Sequence, residues 1–142
     1  MNPMENSKES LLRKFNALSK NTLLETLAIE FTDVTETTVT ASMPVTSKVH
    51  QPDGVLHGGA SVALAETIGS VGAMYFMKEE NITIRGIEIA ANHVKSVRDG
   101  YVHATASILH KGRTTQLWQI RITNDDGALV SMVKLTTITL RT

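Results

Sequence analysis

The sequence contains no cysteine. That removes disulfides, a thiol nucleophile and a cysteine-ligated zinc from consideration. It also lacks an excess of charge, because fourteen Lys and Arg residues balance fourteen Asp and Glu. Such a chain shows no electrostatic footprint for nucleic acid or an anionic membrane surface, although a local basic pocket stays compatible with the balance. The opening stretch, MNPMENSKES, is polar and mixed in charge and holds no hydrophobic signal core. The expectation is a soluble, cytoplasmic protein. No repeat, low-complexity tract or linker interrupts the 142 residues, and 42% hydrophobic content is enough for one core. One domain over residues 1–142 is expected, with residues 1–25 as an N-terminal helical segment.

Hydrophobic periodicity gives the order of elements. Asn6 and Glu9 resemble a capping box, followed by Leu11, Leu12, Phe15 and Leu18 at helical spacing. A second short helix is expected from Asn21, using Leu23, Leu24 and Leu27. From about Ile29 the period becomes two, with Val39, Ala41, Met43 and Val45 on one face and Thr38, Thr40 and Ser42 on the other. A loop follows, in which Pro52, Asp53 and Gly54 form a turn. After the apolar stretch 58–77 come four strands, Ile82–Val97, Tyr101–His110, Thr114–Asn124 and Ala128–Leu140, separated by RDG, KG and NDDG. Gly86 interrupts the first of these and marks a bulge. The strands read as an antiparallel meander, and a sheet of that length curls. Its concave face needs a filler, and the segment 58–77 is the candidate. The fold class is therefore α+β, a curved antiparallel sheet wrapped around a central helix.

The segment HGGASVALAETIGSVGAMYFM (57–77) is long enough to cross a bilayer, but its Gly, Ala and Ser content and internal Glu66 favour a buried core helix. Glu66 and Ser70, four apart, share a helix face. A carboxylate in such apolar surroundings needs hydrogen bonds, a partner charge or an altered pKa, and carboxylates of that kind concentrate at functional sites. The plainer reading is a solvated stripe on an amphipathic helix.

Gly58 and Gly59 open this helix, so their amides are unpaired donors at the positive end of its dipole. Gly58 has no Cβ and lets a ligand oxygen approach, as an oxyanion hole for a carbonyl under attack requires. Close helix–strand packing would explain the same glycines. His57 either orients a substrate or caps the helix. Gly58 and Glu66 are eight residues apart, about 12 Å along a helix axis. They cannot both touch one carbonyl within one chain. If both serve one reaction, two chains must lie antiparallel across a two-fold axis, with two equivalent sites.

LHGGASVALAETIGS closely resembles the central-helix signature of hotdog-fold acyl-CoA thioesterases, in the branch of the phenylacetate-degradation and Glu-type 4-hydroxybenzoyl-CoA enzymes. The resemblance covers roughly residues 25–140 in order and spacing, and HKGRTTQLWQIRI resembles the family's H-x-G-R strand segment. It implies the hotdog fold and hydrolysis of an acyl-CoA, with an aromatic acyl group as one preference within the branch. Glu66 would act as nucleophile on the thioester carbon or as general base for water. The Gly58 amide would polarise the carbonyl, with His57 beside it. Gln51 would help to hold the carbonyl or the water, and Ser70 would orient the carboxylate or water. The coenzyme A portion would meet Lys111, Gly112, Arg113 and Thr114 on its phosphate side, and His93, Lys95 and Ser96 near the pantetheine entrance. By themselves, Lys111 and Arg113 read as a charged hairpin tip and His93 as an ordinary strand histidine.

Val71, Met74 and Tyr75, with parts of the N-terminal helix, would line the acyl pocket. The resemblance implies a dimer that completes each site, and usually a tetramer. No cofactor is implied beyond the coenzyme A of the substrate. No metal is expected, since His50, His57, His93, His103 and His110 lack ligand spacing. Two other readings stand beside hydrolysis. One is a non-catalytic acyl-CoA sensor, which would be expected to carry a DNA-binding domain for which the N-terminal stretch is too small. The other is a hotdog hydratase or dehydratase, whose Pro-rich loop motif HQPDGVLHGG does not match well.

Overall fold

Alternating burial builds one six-stranded sheet around one long helix. The computed structural model describes residues 3–142, with side chains from Ser7 onward. The elements are α1 (Pro3–Ala17), α2 (Leu23–Thr26), β1 (Glu30–Val34), β2 (Thr38–Pro44), α3 (Gly58–Met77), β3 (Ile82–His93), β4 (Tyr101–Lys111), β5 (Thr115–Asn124) and β6 (Leu129–Arg141). All strand pairs are antiparallel. Val39, Ala41 and Met43 are fully buried and Val45 nearly so, while Thr38 and Thr40 line the other face.

Strand order departs from a simple meander. It runs β1-β2-β4-β5-β6-β3, so β4, β5 and β6 follow one another but β3 lies on the far side of β6. The reason is α3, whose 20 residues span about 30 Å and carry the chain across the concave face. β3 therefore begins at the opposite edge. Its bulge falls at Gly86, between the pairs Gly86↔Thr137 and Glu88↔Thr136. The strand ends at His93 rather than Val97, because residues 94–100 leave the ladder and return across the end of the sheet. Val94 still donates to Val130 O, and Val97 O accepts from Leu56 N.

α3 sits tightly on the sheet because its inner face is small. A methyl group on Gly72 would stand 3.0 Å from Cη2 of Trp118, so only glycine lets the helix approach that ring. Leu64, Ala65, Ile68 and Ala73 are fully buried between helix and sheet. Each large one contributes about 1.5–3 kcal/mol of hydrophobic stabilisation. Phe76 stacks on Trp118 at 5.9 Å between ring centres. The helix meets the length and apolarity of a membrane span, but it is the core helix of this sheet.

α1 begins at Pro3, upstream of the expected cap; the Asn6 side chain lies outside the described residues. α1 packs through Phe15 against Phe31 and Tyr75. Asn16 donates to Phe31 O at 3.1 Å and accepts from Phe31 N at 2.8 Å, which satisfies the outward backbone groups of Phe31 on the edge strand β1. α2 starts two residues later than expected, at Leu23, capped by Thr22, whose hydroxyl accepts from Leu24 N at 3.2 Å. The other edge of the sheet, β3, has no such cover among the described residues.

Candidate functional site

The start of α3 is held by His57. Its Nδ1 accepts the Gly59 N–H at 2.8 Å, so the histidine caps the helix and uses up the second glycine's amide. The Gly58 N–H has no acceptor among the described residues. It stands at the positive end of a 20-residue helix, where an oxygen bearing negative charge is stabilised. His57 itself lies on the other side of the helix start, lining a groove with Leu23, Leu27 and Ala60.

A cavity of about 370 Å³ opens beside Gly58. It brings together Gln51, Gly58, His93, Lys95 and Ser96 of the expected set. The Gln51 carboxamide oxygen accepts Asp53 N at 2.7 Å, which fixes the side chain within the Pro52–Gly54 turn and leaves its NH₂ as the free donor. The Nε2 edge of His93 abuts the helix start, so that a methyl group on Gly58 would be 2.7 Å from Nε2 and 2.9 Å from Cδ2. On its other side the ring's Nδ1 is 2.7 Å from the Ser131 hydroxyl. Ser61 and Ser131, both fully buried or nearly so, complete the polar lining and were not among the expected residues. Ser131 had a faint signal: alternation in ALVSMVKL places a serine at an inward position between Leu129 and Val133.

Glu66 and Ser70 lie elsewhere. The half-buried Glu66 carboxylate rests on Gly86 at the bulge of β3, and among the described residues it makes no hydrogen bond or ion pair. Ser70, Val71 and Met74 line a second hollow, about 300 Å³, against Ile82–Arg85 of the same edge strand. Helix and strand run in opposite directions here. Gly58 meets His93 at one end, and Glu66 meets Gly86 nearer the other. Exposed apolar side chains, Met74, Ile87 and Val94, accompany this edge. Tyr75 turns away from Val71 and Met74 towards α1, where it packs on Phe15 and borders a third hollow with Leu11, Val34 and Glu36.

The segment Lys111–Thr114 is far from the Gly58 cavity within one chain. It forms the β4–β5 turn near the C-terminal end of α3. There Arg141 donates to Glu79 at 2.9 Å and to Arg113 O at 2.6 Å. The hydrogen bond from Arg141 holds the Glu79 carboxyl below its usual value, and Arg113 and Lys111 add to that through their charge. This end of the molecule is basic, as a phosphate-binding segment would be.

A family model for the thioesterase superfamily matches residues 53–131, which span the turn before α3 through the first residues of β6. The 1,4-dihydroxy-2-naphthoyl-CoA hydrolase of Escherichia coli is 44% identical over 91% of this chain and 94% of that protein. Among solved structures, a thioesterase of Pseudomonas aeruginosa superposes with a TM-score of 0.88 at 41% identity, covering 91% of this chain and 93% of that one. A protein of Staphylococcus aureus superposes with a TM-score of 0.81 at 42% identity, covering 84% and 98%.

Proposed function

This chain belongs to the thioesterase superfamily and is a hotdog-fold thioester hydrolase, and we propose on that premise that it cleaves an aromatic acyl-CoA at a site shared by two copies of the chain. The observation that carries the proposal is the opposed pairing along α3 and β3, Gly58 with His93 and Glu66 with Gly86. A two-fold axis near Ile89 and Ala90 exchanges the two ends. The acid of one copy then faces the amide of the other, and the open edge of β3 is paired at the same time.

In this arrangement the thioester carbonyl enters the cavity of one copy and accepts the Gly58 N–H, with the Gln51 carboxamide beside it. Negative charge that develops on the oxygen is met by donors already in place. Glu66 of the second copy attacks the carbonyl carbon directly or removes a proton from water, and Ser70 one turn below orients it. A thioester carbonyl is electrophilic enough for one carboxylate and one amide to suffice. Val71 and Met74, beside Ser70, give the acyl group an apolar wall. Lys95 and Ser96 border the mouth for pantetheine, and the Lys111–Thr114 turn supplies positive charge for the phosphates.

Support for the two catalytic side chains comes from spacing. The S. aureus relative has been solved with a glutamine changed to alanine and with a glutamate changed to alanine, at positions fifteen apart. Gln51 and Glu66 are also fifteen apart. The aromatic preference rests on the E. coli relative's substrate. The test is thiol release from a panel of aromatic and aliphatic acyl-CoAs. Aromatic substrates should show the higher kcat/KM, and Glu66→Gln should lower kcat by roughly 10²–10⁴-fold. Binding without thiol release would overturn the assignment of hydrolysis to this site; near-normal turnover by folded Glu66→Gln would remove that carboxylate from it.

A further inference from the structure

The His93–Ser131 pair lies within the proposed site; a chemical role for the pair rests on the hydrolase reading, whereas its geometry does not. Ser131 is fully buried on β6, directly opposite His93 on β3. Its hydroxyl is 2.7 Å from His93 Nδ1 and has no other partner among the described residues. A buried hydroxyl hydrogen with nowhere else to go must be donated to its one neighbour, since an unmade bond costs about 1–3 kcal/mol. Ser131 is 0% exposed, so bulk solvent does not compete for that hydroxyl. Nδ1 is therefore the acceptor. A neutral imidazole carries one proton, so that proton sits on Nε2.

Nε2 is the ring atom nearest the place a Gly58 side chain would take, and both residues line the same cavity. We propose that His93 is a catalytic residue: its Nε2–H and the Gly58 N–H form a paired donor site for the thioester oxygen, and Ser131 is the positioning residue that fixes the required tautomer. A strand histidine with no role would need no buried hydroxyl at its back. A pantetheine contact alone would not need Nε2 turned onto the helix start. Neutral imidazole serves as an electrophile elsewhere in enzymology, with its proton held on the nitrogen that faces the carbonyl. Both groups come from one chain, so this half of the site is preformed before any second copy arrives.

The direct test is the ring tautomer. Long-range ¹H–¹⁵N correlation of the purified wild-type protein at pH 8.5, with the His93 signals assigned by their loss in His93→Gln, should show protonated Nε2 and bare Nδ1. In Ser131→Ala the ring should shift towards a mixture of tautomers. Protonated Nδ1 in the wild type would overturn the proposal.

Kinetics then separate catalysis from binding. His93→Ala should lower kcat on the order of 10- to 100-fold with little change in KM, and His93→Gln, which keeps an N–H donor, should recover much of it. Ser131→Ala should fall between wild type and His93→Ala. The same losses should appear with a short N-acetylcysteamine thioester, which lacks the nucleotide and most of the pantetheine. A His93→Ala enzyme with normal kcat and a raised KM confined to the full coenzyme A substrate would assign the residue to pantetheine and overturn the proposal. A wild-type protein that releases no thiol would instead sink the hydrolase reading, leaving the tautomer measurement to stand by itself.

Discussion

Glu66 Oε1 lies so close to the α-carbon of Gly86 that a methyl group there would stand 2.5 Å from it, with the carboxyl carbon at 3.2 Å. The bulge of β3 thus serves as a seat for the carboxylate. Gly86 is not among the residues with positive φ, so alanine fits its backbone, and a strand loses entropy less readily with alanine than with glycine. Gly86→Ala should therefore leave the melting temperature unchanged or slightly raised. It should lower kcat about 10- to 100-fold, because a displacement near 1 Å at a reacting group has costs of that order. Steady-state kinetics beside a thermal melt checks both halves. Unchanged kcat would mean that the seat does not position Glu66.

A second prediction concerns the far end of the helix. Trp118 Nε1 donates to Thr137 Oγ1 at 3.2 Å, and Thr137 donates to the Gln116 oxygen at 2.9 Å. Gln116 Nε2 in turn donates to Thr139 Oγ1 at 3.0 Å and Gly112 O at 3.3 Å. Gln116, Trp118 and Thr137 are fully buried. Thr137→Val keeps the shape but strands a buried donor and a buried acceptor, at about 1–3 kcal/mol each. Urea unfolding should show a loss of about 2–6 kcal/mol at constant slope. A loss below about 1 kcal/mol would mean that the network relaxes around the valine.

The sequence made the central helix legible from one end to the other, because small residues, Glu66 and the glycine pair are local features. The bulge at Gly86 and the inward face Val39, Ala41, Met43 and Val45 were legible for the same reason. Strand order was not. Whether β3 lies beside β4 or beyond β6 depends on how far α3 carries the chain, and no pattern within β3 encodes that. His93 and Ser131 are 38 positions apart, so their meeting depends on that same unreadable pairing. Tyr75 follows Met74 directly, yet ring packing with Phe15 and Phe76 draws it to the opposite side.

A third prediction comes from the Glu79–Arg141 pair. Arg141's hydrogen bond holds the Glu79 carboxyl below its ordinary value of 4.5. A carboxyl whose folded value is depressed stabilises the fold above its unfolded value and loses that contribution as pH falls through the folded one. Melting temperatures of wild type and Glu79→Gln should differ near neutral pH, start to approach one another below about 4.5, and converge only after pH has fallen through the lower folded value. The pair is exposed, so the difference should be small and should shrink in high salt. A gap that does not narrow as pH falls would assign the effect to packing rather than charge.

The last prediction decides whether the site spans two chains. Within one chain, α3 is a single unbroken helix, and it separates Gly58 from Glu66 by about 12 Å. Glu66→Gln and Gln51→Ala should each be nearly inactive as homodimers. When the two variants are unfolded together and refolded in equal amounts, half of the dimers should be mixed. In a mixed dimer with shared sites, one site combines the intact Glu66 of one copy with the intact Gln51 of the other, and the second site carries both lesions. Activity should then return to about a quarter of the wild-type value. If each site drew Glu66 and Gln51 from the same chain, every site in the mixture would hold one lesion, and no activity would return. Native mass spectrometry of the same sample verifies that mixed dimers formed, so that an inactive mixture counts against the shared site and not against the refolding.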